Sequence, residues 1–209
     1  MMIDIKQISD KALNLLKEVN QAEFFSTDHY RHEPNTKFER NIMIDDFISY
    51  LPDKPNKRFY ILQIKPHKLE FSNSYNIETD IINLFHPSWF KSMDIYYSIL
   101  FHEIGHSTGH KKRLNRAYLV NYPNYLITTE KRKCKEEIVA ELIALFLSVY
   151  FELDDKTLIK CCKYINIYIE KSRDLTSKEL VKLVKYAEKS LRYLLGIEKE
   201  NNPNIKEED

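Results

Sequence analysis

His102-Glu103-Ile104-Gly105-His106 has the pattern H-E-x-x-H. On an α-helix, residues four apart share a face, so His102 and His106 would present two imidazoles to one ion. Glu103 sits beside the first of them, where its carboxylate can reach a water on that ion. Two ligands and one general base within five residues are what zinc-assisted hydrolysis asks of a helix. The alternative is a surface helix whose histidines bind nothing, so the setting of the motif has to decide.

That setting is helical. Ile95, Ile99, His102 and His106 follow helical spacing, and no proline interrupts the stretch after Pro87. Ser92 or Asp94 can cap the start, and Gly109 can end the helix. A second helix is predicted over residues 133–151, with Ile138, Leu142, Leu145, Phe146 and Val149 as its apolar stripe. Glu136, Glu137 and Glu141 lie near its start. Glu137, Glu141, Ala144 and Ser148 share one face. Acids in a first turn are ordinarily a helix-dipole effect. That explanation covers Glu136 well and Glu141 poorly.

The elements around these two helices follow from pattern and punctuation. Residues 4–24 read as a first helix through Ile8, Leu13, Leu15, Leu16 and Val19. Residues 26–41 read as a polar surface loop. His29, His32 and Glu33 fall there at a spacing that matches no standard ligand motif. A short helix over 43–51 ends at Pro52 and Pro55. Residues 58–64 read as a strand, 68–72 as its hairpin partner and 80–85 as an edge strand. Residues 117–129 look irregular. Two more helices follow. One is capped by Asp154 or Asp155 and runs to about Ser172. The other opens on a Thr176/Glu179 capping box and stops at Gly196. The fold class is α+β, with a small sheet before the motif helix and a helical C-terminal half.

Composition narrows the partners. The 209 residues suit one domain, and 32 Lys plus Arg against 31 Asp plus Glu make no global basic field for nucleic acid. The run Lys111, Lys112, Arg113, Arg116 is short and reads as a solvated loop, with phosphate contact as the lesser alternative. Three glycines disfavour glycine-rich phosphate loops, and no G-x-G-x-x-G or G-x-x-x-x-G-K is present. Cys134, Cys161 and Cys162 are expected as reduced thiols, the last two as one core and one surface thiol. The N-terminus lacks a signal peptide's basic start, and no apolar segment approaches the roughly 20 residues that span a bilayer. The expectation is a cytoplasmic protein with no membrane partner.

A family resemblance rests on several of these stretches together. Tyr96-Tyr97 through His110, continued by Arg113-Leu114-Asn115-Arg116, resembles the zincin-like metallopeptidase domain of the plasmid antirestriction ArdC family. That domain reads approximately YYxxLxHExxHxTGHxxRLxR. Glu136-Glu137-Ile138-Val139-Ala140-Glu141-Leu142 looks like its EELVAEL motif, and the stretch ending Tyr193-Leu194-Leu195-Gly196 is similar to its closing segment. The resemblance covers residues 45–196. It leaves residues 1–44 as an N-terminal helix and loop, too short to hold whole the single-stranded-DNA-binding domain of such proteins. Residues 197–209 are expected to be a disordered acidic tail.

The resemblance implies a zinc-dependent peptidase of the kind carried on mobile elements, with a protein or peptide as substrate. Glu103 would be the general base on a zinc-bound water, and the strand at Ile81–Phe85 could pair with an extended substrate. The alternative is a single-stranded-nucleic-acid-binding or host-defence-inhibiting interaction protein that retains the metal site. The third metal ligand has three candidates: His110, Glu137 and Glu141. In metzincins the third histidine comes three residues after the glycine, where this chain has Lys112, and His110 stands too close. In gluzincins a ligand glutamate is followed four residues on by an acid, a spacing Glu137 and Glu141 share. The expected set is therefore gluzincin-like: His102, His106 and Glu137 hold Zn2+, and Glu141 orients a ligating histidine. Glu136, about 100° around the helix, is expected to be dispensable.

Overall fold

The Ser92 side chain accepts a hydrogen bond from the Ile95 N–H at 3.2 Å and starts the helix that carries the H-E-x-x-H stretch. The computed structural model describes residues 4–19, 29–31, 33–35, 37–51, 60–62, 73–120 and 130–197. Among these the chain runs α1 (Ile5–Glu18), α2 (Ile42–Ser49), β1 (Tyr60–Leu62), β2 (Ser74–Asn76), β3 (Ile81–Phe85), a 3-10 turn at Pro87–Trp89 and α3 (Met93–Thr108). It continues with α4 (Ala117–Val120), α5 (Glu130–Tyr150), α6 (Asp155–Lys171) and α7 (Ser177–Leu194). α1 ends at Glu18, where Val19 turns extended, short of the expected residue 24. The expected strand partner at 68–72, residues 20–24, the 121–129 part of the loop and the tail beyond 197 lie outside the described residues.

The sheet corrects one expectation. β3 is the central strand, in the order β1-β3-β2, and not an edge. It pairs in parallel with β1, Ile61 opposite Leu84, and antiparallel with β2, Tyr75 opposite Ile82. The β2–β3 turn is held by Asn76, whose side chain accepts from the Glu78 and Thr79 N–H groups, and by Asp80 with φ of 55°. Among the described residues β1 occupies the Asn83–Phe85 part of one side of β3 and β2 the Ile81–Asn83 part of the other, so a substrate strand does not find the free edge expected there. Burial of Ile82 and Leu84 between partly buried Ile81 and Asn83 reveals a half-buried strand but not which strands flank it.

The spacing predicts an amphipathic α5, whereas the helix is buried on every face from Ile138 to Val149. Helices α1, α3, α4, α6 and α7 all pack against it, so the stripe became a full cylinder. Truncating a residue such as fully buried Leu142 to Ala would cost about 2–5 kcal/mol. The capping signals hold. Asp154 accepts from Thr157 N–H at 2.7 Å, and Thr176 and Glu179 form the reciprocal box. Gly196, at φ of 65°, stops α7 in the left-handed conformation that glycine adopts freely. Cys161 and Cys162 are both buried free thiols, so neither is at the surface. No helix of the described residues is long and apolar enough to cross a membrane.

Candidate metal centre

α3 and α5 cross at Gly105. A Cβ there would lie 3.0 Å from the Ala140 carbonyl oxygen and 3.1 Å from its Cα, so the absence of a side chain lets the two backbones close. This contact places the start of α5 against the two histidines of α3. His102 Nε2 and His106 Nε2 come within 3.1 Å of each other. Glu137 Oε2 lies 3.5 Å from the first and 3.6 Å from the second. Zinc–ligand bonds of about 2.0–2.2 Å in a tetrahedral array put ligand atoms roughly 3.3–3.6 Å apart. His102, His106 and Glu137 thus form a group able to hold a metal ion.

The far nitrogens of both rings meet carboxylates. His106 Nδ1 lies 3.1 Å from Glu136 Oε1, and His102 Nδ1 lies 3.0 Å from Glu141 Oε1. The second contact is close but not aligned as a hydrogen bond, which leaves His102 Nδ1 buried without a good partner. A carboxylate can only accept, so Glu136 directs the His106 proton to Nδ1, and the Glu141 charge favours the same state of His102; each Nε2 is then the nitrogen that could bind a cation. Two imidazole Nε2 atoms and a carboxylate oxygen converge on one point. Such a donor set calls for a cation, and it fits zinc.

The electrostatics agree with this demand for positive charge. Burial would lower the His106 pKa, but the Glu137 charge and bonds to Glu136 and Glu137 outweigh it and lift it to about 9. Burial opposes the His102 cation likewise, and the charge of Glu141 with the bonds to Glu137 and Glu141 still raises it well above the ordinary value. Burial would raise Glu137, yet the two histidines hold it well below the usual carboxylate range. Glu103, buried at 5 % exposure, moves the other way: desolvation raises its pKa despite the neighbouring histidines. A raised carboxyl pKa suits a group that takes up a proton during a reaction.

Glu136, which the sequence marks as dispensable, is wholly buried with Oε1 3.1 Å from His106 Nδ1. The 100° offset from Glu137 is real, but the two helices are so close that α5 straddles the His106 ring. Glu137 meets one ring nitrogen and Glu136 the other. The basic run also turns out differently. Arg116, its side chain 2 % exposed, donates to both Glu136 oxygens at 2.6 and 2.7 Å. Arg113, its side chain 3 % exposed, pairs with Asp80 and donates to the Ser107 carbonyl at 2.5 Å. Only Lys111 and Lys112 of the four basic side chains are exposed. His110 is apart from the donor group: its Nδ1 accepts from Lys112 N–H at 3.2 Å and lies 3.9 Å from Asp80. Sequence alone offered one signal for Arg116 and Glu136, their place in the two quoted motifs, and none for what they touch.

A cavity of about 270 Å3 opens beside the histidines. Its lining includes His102, Glu103 and Glu141, the apolar Ile95 and Ile99 of α3, and Lys160 of α6. His29, half-buried, also reaches it, with a ring nitrogen 2.8 Å from the Tyr164 hydroxyl and the other against Lys160. Glu33 is exposed, and His32 lies outside the described residues. A concave site with an apolar wall and convergent polar groups is where a substrate would sit.

The family profile described as zincin-like metallopeptidase matches residues 62–178, a span from β1 to the start of α7 that contains the whole donor group. No curated protein and no solved structure matches the chain.

Proposed function

The chain belongs to the zincin-like metallopeptidase family, and on that premise we propose that it hydrolyses peptide bonds at the His102–His106–Glu137 centre. The observation that carries this reading is the convergence of two imidazole nitrogens and one carboxylate oxygen beside buried Glu103. His102, His106 and Glu137 would hold a zinc ion, as in gluzincins. A bound zinc supplies Lewis-acid chemistry, polarising the scissile carbonyl and acidifying water. Glu103 takes the proton of the attacking water as its oxygen bonds the carbonyl carbon. It then delivers that proton to the leaving nitrogen as the C–N bond breaks, so that water is added across the bond. Glu136 holds the His106 ring by its far nitrogen, and the Glu141 carboxylate lies against that of His102. The cavity beside Ile95 and Ile99 receives the substrate.

The substrate class is a protein or peptide. A finer kinship with ArdC-like proteins, and with it an origin on a mobile element and a host or element protein as target, belongs to the same proposal. Burial of Arg113 and Arg116 removes half of the basic run that favoured a nucleic-acid-binding reading. Proteome-wide mapping of new N-termini in cells expressing wild type or Glu103→Gln tests the proposal. Termini that appear with wild type and vanish with the variant are expected. Identical profiles, with both proteins loaded with zinc, would exclude peptidase activity on those substrates.

A further inference from the structure

We infer that Arg116 is a positioning residue for the metal centre, acting through Glu136 on the His106 ring. This rests on the reading that His106 binds the metal. The guanidinium offers five N–H groups, and each finds an acceptor. Nε donates to Glu136 Oε2 at 2.7 Å and Nη2 to Glu136 Oε1 at 2.6 Å. Nη2 also donates to the Gly105 carbonyl at 3.0 Å. Nη1 donates to Thr108 Oγ1 at 3.0 Å and to Ser190 Oγ at 3.4 Å. The two-pronged grip fixes the plane of the Glu136 carboxylate, and that plane aims Oε1 at His106 Nδ1.

Room for this arrangement comes from Gly109. A Cβ there would stand 3.0 Å from both Cζ and Nη2 of Arg116. The cage also reaches beyond the family-matched span, because Ser190 lies on α7 and bonds Thr108 as well. Glu136 is 0 % exposed, so no water can replace the guanidinium without opening the core. A lysine could supply the charge but not the plane.

The test measures zinc dissociation constants for wild type, Arg116→Met, Arg116→Lys, Glu136→Gln and the Arg116→Met/Glu136→Gln double variant, by competition with a chromophoric chelator. The Co2+ absorption spectrum of each reports ligand geometry independently of activity. Arg116→Met is expected to weaken zinc about 10–100-fold and to shift the Co2+ bands, with a smaller loss for Arg116→Lys. The double variant should be no weaker than the weaker single variant, because both changes break one chain of contacts. Arg116→Met that melts lower yet binds zinc within about twofold of wild type would overturn the inference, as would losses that multiply in the double variant. If Arg116→Met does not fold, Arg116→Lys and Glu136→Gln decide it, and wild-type affinity in both overturns it. Undiminished zinc binding by His106→Ala would overturn the metal-centre reading itself along with the inference. Loss there with wild-type affinity in the Arg116 variants sinks the inference alone.

Discussion

Gly105 on α3 and Ala140 on α5 touch backbone to backbone, with only 3.0 Å between a Cβ built on the glycine and the Ala140 carbonyl oxygen. Neither helix can yield locally, because the obstacle is main chain and not a movable side chain. A methyl group there forces the helices apart at the point where Glu136 and Glu137 reach His106. Alanine would also gain up to about 1 kcal/mol of helix propensity. Overpacking costs about 1–3 kcal/mol and should win. Gly105→Ala is therefore expected to lower stability by about 1–2 kcal/mol in urea unfolding. It should also weaken zinc binding. A stabilised variant with intact zinc affinity would contradict this account of the crossing.

The acids of α5 should separate by metal affinity. Glu137→Ala is expected to lose most, since its oxygen lies with both ring nitrogens. Glu141→Ala and Glu136→Ala should each cost about 10–100-fold, because each removes the carboxylate beside one Nδ1. His110→Ala should change affinity least. Competition titration with a chelator reads the order, and a Glu136→Ala protein with unchanged affinity would return that residue to the dispensable class.

Glu103→Gln separates proton transfer from ligation. The amide keeps the shape of the side chain but cannot accept the water's proton, so hydrolysis of any confirmed substrate should fall at least about 100-fold. Zinc content by elemental analysis should stay near that of wild type. A drop in metal together with activity would place Glu103 among the ligands instead.

The Asp80–Arg113 pair predicts a pH dependence. Burial would raise the Asp80 pKa, but bonds from Arg113 and Tyr75 outweigh it and hold it below 3.8. A folded-state pKa below the unfolded one contributes stability above the unfolded value and loses it as pH falls through the folded one. Asp80→Asn should cost about 1–3 kcal/mol at neutral pH, because it removes the carboxylate charge that faces the buried Arg113 guanidinium. The gap between wild type and variant in urea midpoint should stay constant from pH 7 to about 5 and close only below 3.8. A gap that closes near pH 6 would point to His110, whose ring lies 3.9 Å from Asp80.

What was legible in the sequence is local. Helical spacing puts His102, Glu103 and His106 within one turn and a half of helix whatever surrounds them. Ser92, Asp154 and the Thr176–Glu179 box cap helices through groups two to four residues away, so their meaning survives without the fold. The shared face of Glu137 and Glu141 follows from helix geometry in the same way.

The tertiary structure decided every relation whose two ends lie far apart in the chain. Arg113 finds Asp80 33 residues earlier, and Arg116 finds Glu136 20 residues later. Nothing in a four-residue basic run tells a solvated lysine from a buried arginine, because the difference lies in the partner. β3 became central because β1 and β2 joined it from either side, and alternation along one strand carries no record of its neighbours. Glu136 gained its place beside His106 because Gly105 and Ala140 let two helices meet backbone to backbone. Periodicity assigns a residue to one face of a helix, whereas packing on every side of α5 gave each of its faces a partner.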